Sequence, residues 1–247
     1  MSLALTLVHG WGMNASCWDS LRATNSRHSL QSLELPGHGR RLNENMPGSL
    51  DSLAEQLLVK APAESIWCGW SLGSQVALRA AIIAPEKIHG LILIAPTPRF
   101  VSGHDWSYGM SLESFESFYE AIKANPVSGL KRFSLLMFEG STEARQKARD
   151  YFRKLQESGL PGGKNLVRGL DILSESDLRP HLTKIKQPVY LLAGQKDSVC
   201  PISAPRWMNQ NFGWPLVEVD DGHAPQLSHP HLVMEIMDKL EQELSLV

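Results

Sequence analysis

The chain has 247 residues, with 24 Lys and Arg against 26 Asp and Glu, for a formal net charge of −2. Hydrophobic residues make up 43% and charged residues 20%. That composition suffices for a real core and excludes bulk disorder, and the near-neutral balance leaves no electrostatic footprint for nucleic acid. Cys17, Cys68 and Cys200 are odd in number and widely spaced, which excludes a disulfide framework and a CxxC zinc or redox site and points to free, mostly buried thiols.

Leu3 to Val8 reads as a strand ending at His9-Gly10-Trp11-Gly12. No Lys or Arg precedes Arg22, so the start does not look like a secretory signal, which begins basic. The longest apolar runs, here and at Leu91 to Ala95, fall far below the roughly 20 residues of a helical membrane span. A cytoplasmic protein without a membrane partner is expected.

A second strand, Ser29 to Leu35, ends at Pro36-Gly37-His38-Gly39, and an amphipathic helix follows over Leu50 to Lys60. Ser65 to Trp70 is the third strand and runs into Ser71, then a helix pattern over Gly73 to Ile83. Gly90 to Ile94 is the fourth strand. Several of these runs are apolar at every position, as strands covered on both faces by helices must be.

Between Arg99 and Asp177 the strand rhythm stops. Helical patterns take over at Leu112 to Ala124, Val127 to Phe138, Glu143 to Ser158 and Asn165 to Ser174, divided by Asn125-Pro126, Gly140 and Leu160-Pro161-Gly162-Gly163. Strands resume at Val189 to Ala193 and Leu216 to Val219, and His231 to Leu244 closes the chain as a helix. No repeat or low-complexity segment interrupts the order. The expected fold is α/β, with a mostly parallel central sheet flanked by helices. Its core is 1–98 and 178–247, and a helical lid is inserted at 99–177, too long for a mere loop.

Gly69-Trp70-Ser71-Leu72-Gly73 matches G-x-S-x-G between a strand and a helix, the context that turns a weak pattern into a strong one. A nucleophile at such a turn sits in strained backbone, so residues without side chains are needed around it. A serine needs a base and an orienting acid. These are expected on loops after later strands, in the order Ser, Asp, His. Asp197 follows the strand at Val189, and His223 follows the strand at Leu216. Asp171 and Asp177 belong to the insertion or its exit, and Asp220 and Asp221 lie too near His223 in sequence to orient it. His223 must be neutral to accept a proton, so activity is expected to fall on the acid side. The oxyanion requires donors, expected from the backbone N–H of Leu72 and of Trp11, whose indole can wall the acyl pocket. A zinc site built from His9, His223, His229 and His231 lacks any HExxH or Cys/His pairing, so neither metal nor cofactor is expected.

Lys123 to Lys154 contains eight basic and three acidic residues, and Arg145, Arg149 and Arg153 recur every four positions. One helix face is therefore basic. Either it meets a partner or it is a solvated face on which Glu143 and Lys147 form an ordinary pair.

At these residues the chain resembles the α/β-hydrolase superfamily and, within it, the pimeloyl-[acyl-carrier protein] methyl ester carboxylesterases of biotin synthesis, the BioH family. The likeness spans nearly the whole chain. It includes Leu7 to Ala15, Leu35-Pro36-Gly37-His38-Gly39-Arg40, Ile66 to Gly73, Thr142 to Arg149, Gly169 to Leu173, His223-Ala224-Pro225 and Ser228-His229-Pro230. The resemblance implies that Ser71 attacks the methyl ester, His223 takes its proton and Asp197 orients the imidazole. It further implies an acyl channel lined by Phe133, Ser134, Leu135, Leu136 and Met137 beside Trp11, Ser71, Leu72 and His223. Arg132, Arg145 and Arg149 would meet the acidic acyl carrier protein or its phosphopantetheine phosphate, and the enzyme would be a monomer.

Three departures stand out. The antiparallel leading strands common in the superfamily are expected to be missing or reduced to one, Ser74 replaces a frequent second glycine, and Ser128 replaces a basic lid position. A broad carboxylesterase for short acyl esters would use the same triad, and thioesterases and carbon–carbon bond hydrolases share the scaffold. Dehalogenases and epoxide hydrolases carry Asp at the elbow. A non-catalytic acyl-binding protein would need none of the three residues.

Overall fold

The computed structural model describes residues 3–25 and 27–246. Its strands are β1 (Ala4–Val8), β2 (Leu30–Leu33), β3 (Ser65–Trp70), β4 (Ile88–Ile94), β5 (Val189–Gly194) and β6 (Leu216–Val219). They form one sheet in the order β2-β1-β3-β4-β5-β6, and every pairing is parallel. No antiparallel strand joins it among the described residues. β3 and β5 are buried at every position, whereas the edge strand β6 is half-buried throughout. The continuous apolar runs of the sequence are thus the strands covered on both faces.

Helices α1 (Asp19–Thr24), α2 (Leu50–Lys60) and α3 (Leu72–Ile83) follow β1, β2 and β3. The chain moves outward from β1 to β2 and then returns to pair β3 on the other side of β1. The order of strands therefore reverses beside β1, the place where sheets of this kind set their binding residues, at the carboxyl ends of β1 and β3. The loop at His9 and the turn at Ser71 both emerge at that point.

After β4 the chain leaves the sheet for α4 (Leu112–Ala124), α5 (Pro126–Met137), α6 (Ala144–Glu157) and α7 (Gly163–Glu175). Ser111 caps α4, and Asn125 caps α5 ahead of Pro126 at its first position, so the Asn-Pro break is one helix ending and the next beginning. The two ends of this excursion are tied together. Arg99 bridges Asp177, and the Leu178 N–H donates to Pro98 O at 2.9 Å. Arg179 pairs with Asp177 at 2.5 Å and with Asp105 at 2.7 Å, and Arg99 reaches Asp105 at 2.8 Å.

The chain finishes with α8 (Ser203–Phe212), α9 (Pro225–Ser228) and α10 (Pro230–Ser245). Sequence patterning does not anticipate α8, which contains Pro205, Asn209 and Asn211, all poor helix formers. It forms because Ala204, Pro205 and Met208 are buried, and it stops at Gly213 in the left-handed region at φ 69°. Cys17, Cys68 and Cys200 are all free and buried. Among the described residues no helix is long and apolar enough to cross a membrane.

Candidate active site

The turn between β3 and α3 explains its own sequence. Ser71 has φ 56° and ψ −117°, a strained conformation that costs about 1–3 kcal/mol and persists where the surroundings enforce it. A Cβ on Gly69 would lie 2.2 Å from Gly73 O, and one on Gly73 would lie 2.2 Å from Val8 O. Both glycines are demanded by backbone crossing backbone. The Ser71 N–H donates to Ile94 O at 2.9 Å, and Ser74 closes the turn through its N–H and hydroxyl, both donating to Ser71 O. Ser74, the departure at the second-glycine position, thus has a local role. The N-terminus of α3 begins at Leu72, directly behind the serine, and favours negative charge there.

Asp197 stands on the loop after β5. Its Oδ1 accepts the N–H groups of Val199 and Cys200, both at 2.8 Å, and its Oδ2 is 2.8 Å from His223 Nδ1. With the proton on Nδ1, the other ring nitrogen, Nε2, is an acceptor. Nε2 is buried and has no hydrogen-bond partner among the described residues. Cys200, whose thiol is buried, holds Asp197 through its N–H. Burial, and then the charge of Asp197, push that thiol well above its ordinary range, so it is no competing nucleophile. The structure therefore pairs Asp197 with His223 and ties the His223 loop to Trp70, the neighbour of Ser71; His223 Nε2 makes no hydrogen bond to Ser71 among the described residues. The other acids are engaged elsewhere: Asp171 accepts from the Tyr119 hydroxyl at 2.7 Å, Asp177 pairs with Arg179, and Asp220 pairs with Lys196 at 2.7 Å. Asp221 accepts the Gly222 N–H at 2.7 Å and the Ser141 hydroxyl.

Two contacts hold the histidine loop that sequence reasoning does not foresee. The Trp70 indole donates to His223 O at 2.8 Å, and the His223 N–H donates to Met137 O at 2.9 Å. A Cβ on Gly222 would lie 2.4 Å from Glu139 O, so the end of α5 presses directly on this loop.

The loop after β1 passes close to the serine. A Cβ on Gly10 would lie 3.3 Å from Ser71 Cβ. Trp11 is 2% exposed, and its indole donates to Leu166 O on α7 at 2.8 Å. The ring meets Phe118 and Phe133 edge-on at 5.2 and 5.1 Å, and Phe133 lies 6.3 Å from the His223 ring. An aromatic roof from α4 and α5 thus covers the site, with Phe118 a member that the sequence did not mark. Ser71 is 6% exposed and His223 0%. The backbone N–H groups of Trp11 and Leu72 enter no turn or loop hydrogen bond.

The stretch from Phe133 to Met137 divides between two faces. Phe133, Ser134 and Met137 point inward and are buried, with the Ser134 hydroxyl donating to Leu130 O at 3.0 Å. Leu135 is 46% exposed. It lies in surface grooves between α5 and α6, one shared with Arg132, Leu136 and Arg145, the next with Val127, Lys131 and Arg149. Helical periodicity forces this split, because five consecutive residues cannot share one side. Arg132 and Arg145 form no ion pair among the described residues, while Arg149 donates to Gln146 at 2.8 Å.

The arrangement can support acyl transfer: a hydroxyl at a strained turn, an imidazole held by a carboxylate, and two backbone N–H groups, one on the loop after β1 and one at the start of α3, that enter no turn or loop hydrogen bond among the described residues.

Residues 7–236 match the alpha/beta hydrolase family. The chain is 35% identical over 239 residues to a pimeloyl-[acyl-carrier protein] methyl ester esterase from Nitrosomonas europaea, covering 96% of this chain and 94% of that protein. A protein of the same name from Klebsiella pneumoniae is 33% identical, with 97% and 94% covered. Among solved structures, a bromoperoxidase from Bacillus anthracis superposes with a TM-score of 0.86 at 15% identity over 98% of this chain and 92% of its own. The enol-lactonase from Burkholderia xenovorans LB400 gives 0.82 at 18% identity, covering 98% and 92%. At such identities the structural likeness is one of fold. The sequence relatives are esterases, and this chain is accordingly a carboxylic ester hydrolase of the alpha/beta hydrolase family, in the branch of the pimeloyl-[acyl-carrier protein] methyl ester esterases.

Proposed function

We propose that this chain is a serine carboxylesterase that hydrolyses the methyl ester of a pimeloyl group carried on acyl carrier protein, releasing methanol and the free pimeloyl-carrier carboxylate for biotin synthesis. The observation that supports the chemistry is the His223–Asp197 pair, with Nε2 unpartnered among the described residues, together with Ser71 at a strained turn next to Trp70, whose indole holds the His223 loop. Near-full-length likeness to esterases of that name carries the substrate.

Ser71 Oγ attacks the ester carbonyl and its proton passes to His223 Nε2. Asp197 fixes the Nδ1–H tautomer and stabilises the imidazolium. The N–H groups of Trp11 and Leu72 receive the oxyanion. On collapse the methoxy oxygen takes the proton from His223 and leaves as methanol. Water then attacks the acyl-serine by the same route, giving the carboxylate and restoring Ser71. Phe133 and Met137 with Trp11 form the apolar wall, and the 99–177 segment acts as the lid.

Carrier recognition is assigned to the outer face of α5 and α6. Arg132 and Arg145 rim one groove and Arg149 and Lys131 the next, with the exposed Leu135 common to both. A cationic rim around an apolar contact suits an acidic helical carrier. The test compares kcat/KM for the carrier-borne methyl ester and for a short p-nitrophenyl ester, in wild type and in an Arg145→Ala/Arg149→Ala variant. A preference for the carrier substrate that the variant loses is expected. Equal turnover of both esters, insensitive to the arginines, would leave a broad carboxylesterase.

A further inference from the structure

A second buried polar array lies beneath the loop that follows β1, and the reaction scheme above leaves it unused. His38, on the loop after β2, is 0% exposed. Its Nε2 lies 3.2 Å from the Gly12 nitrogen, and its Nδ1 lies 2.9 Å from Pro36 O. A carbonyl oxygen only accepts and a peptide N–H only donates, so both contacts are satisfied by one state: the neutral ring with its proton on Nδ1. Burial, and then the neighbouring His9, push His38 down to about 3, which favours the same neutral ring.

Gly12 is thereby fixed from two sides. Below it is the His38 ring. Above it is α5, where a Cβ on Gly12 would lie 2.7 Å from Leu130 Cδ2. Gly12 also has φ 70°, so its peptide orientation is one that few residues could adopt. Three residues on, the Ala15 N–H reaches both carboxylate oxygens of Glu34 at 3.2 Å, and Glu34 in turn contacts His9 Nε2 at 2.9 Å. Gly39 leaves room for this carboxylate, because a Cβ there would lie 2.2 Å from Glu34 Oε1. Between these anchors stands Trp11, whose own N–H is uncommitted.

We propose that His38 is a positioning residue for the oxyanion site: as the Nδ1–H tautomer it holds the Gly12 N–H and so fixes the adjoining Trp11 peptide. The assignment rests on the reading that the Trp11 N–H receives the oxyanion. It explains why Pro36-Gly37-His38-Gly39, remote from Ser71 in sequence, packs under the loop that meets the substrate. A peptide nitrogen that turns by a few tenths of an ångström changes its stabilisation of a tetrahedral oxyanion far more than its contact with a planar ester, so the effect falls on kcat.

The test uses the full-length enzyme, a short p-nitrophenyl ester, and phenylboronic acid as the tetrahedral probe. His38→Leu removes the acceptor at similar volume. His38→Gln can return an amide oxygen near the Nε2 position, whereas His38→Asn reaches only the Nδ1 position. In His38→Leu, kcat is expected to fall about tenfold to a hundredfold with KM nearly unchanged, and boronate affinity to fall by a similar factor. His38→Gln should recover most of both losses and His38→Asn little. Long-range 15N–1H spectra of the wild type should report His38 as the Nδ1–H tautomer, a readout that stands even where His38→Leu fails to fold.

An Nε2–H tautomer, a folded His38→Leu enzyme with wild-type kcat, a loss confined to KM, or Gln no better than Asn would each overturn the assignment. Ser71→Ala, measured alongside, separates the two levels. If that variant keeps its activity, the nucleophile reading itself fails. If it is inactive while the His38 variants keep kcat and boronate affinity, the His38 assignment alone fails.

Discussion

The carboxyl edge of the sheet and the helical segment above it are built on different principles. At the sheet edge the groups proposed to react are fixed by backbone. Ser71 is held at positive φ, and Gly69 and Gly73 stand where a Cβ would lie 2.2 Å from a carbonyl oxygen. Asp197 is pinned by two peptide N–H groups before it meets the imidazole. The α4–α7 segment meets the site through an aromatic roof of side chains and through carbonyl oxygens, Leu166 O on the Trp11 indole and Met137 O on the His223 N–H, while Asn165 ties it to Met46 N and Glu44 O. Its far side carries Arg132 and Arg145 without ion pairs. On the proposed function, the chemistry sits where backbone crosses backbone, and the carrier-facing residues sit on helices whose outer side chains can change without disturbing the sheet.

The contrast is broken most severely at the elbow. Ser71→Ala is expected to lower kcat by at least about 10⁴-fold while circular dichroism and Tm stay near wild type. Asp197→Asn should cost about 10⁴-fold by favouring the wrong tautomer of His223, and Asp177→Asn, engaged with Arg179, should cost nothing measurable in kcat. An equal loss in both would move the orienting acid off the sheet edge. On the helical segment the effects are smaller and selective. Arg145→Ala/Arg149→Ala should lower kcat/KM for the carrier-borne ester by about tenfold to a hundredfold and spare the short ester, with salt reproducing part of the effect in wild type.

Smaller still is Trp11→Phe. It deletes the bond to Leu166 O, worth about 1 kcal/mol, and should lower Tm by about 2–4 °C in a calorimeter. Last comes the tie at the base of the segment. The hydrogen bond from Arg179, helped by Arg99, holds the Asp105 carboxyl down to about 2 from its ordinary 3.8. A depressed carboxylate adds stability above its unfolded-state value and loses it as pH falls through the folded one. The Tm difference between wild type and Arg179→Met should therefore be present at neutral pH and close as pH falls from 3.8 towards 2. A difference that grows on acidification would contradict this.

Much of this was legible in the sequence where the cause is local. Leu50–Lys60, Leu112–Ala124, Ser65–Trp70 and Leu216–Val219 coincide with their expected spans, because caps, periodicity and buried runs act over a few residues. The G-x-S-x-G turn is legible for the same reason, since its glycines answer a steric demand at the spot. What escaped is what depends on distant backbone. Leu166, Met137 and His223 each contribute a carbonyl oxygen, and a carbonyl has no sequence signature. Trp70 could be seen flanking the elbow, but not that its indole ties down the histidine loop. The inward and outward division of residues 133–137 was derivable from helical spacing, and α8 was hidden because packing overrides its poor propensity.

The contact between His223 and Met137 has a mechanical consequence. His223 hangs between two supports: the Trp70 indole, which belongs to the sheet, and the end of α5, which belongs to the roof. With Ser71 almost wholly covered, the roof stands between solvent and the serine. If α5 moves as a piece, it pulls on the histidine's own peptide. Admission and disarming are then one stroke, as in a press whose guard carries the trigger.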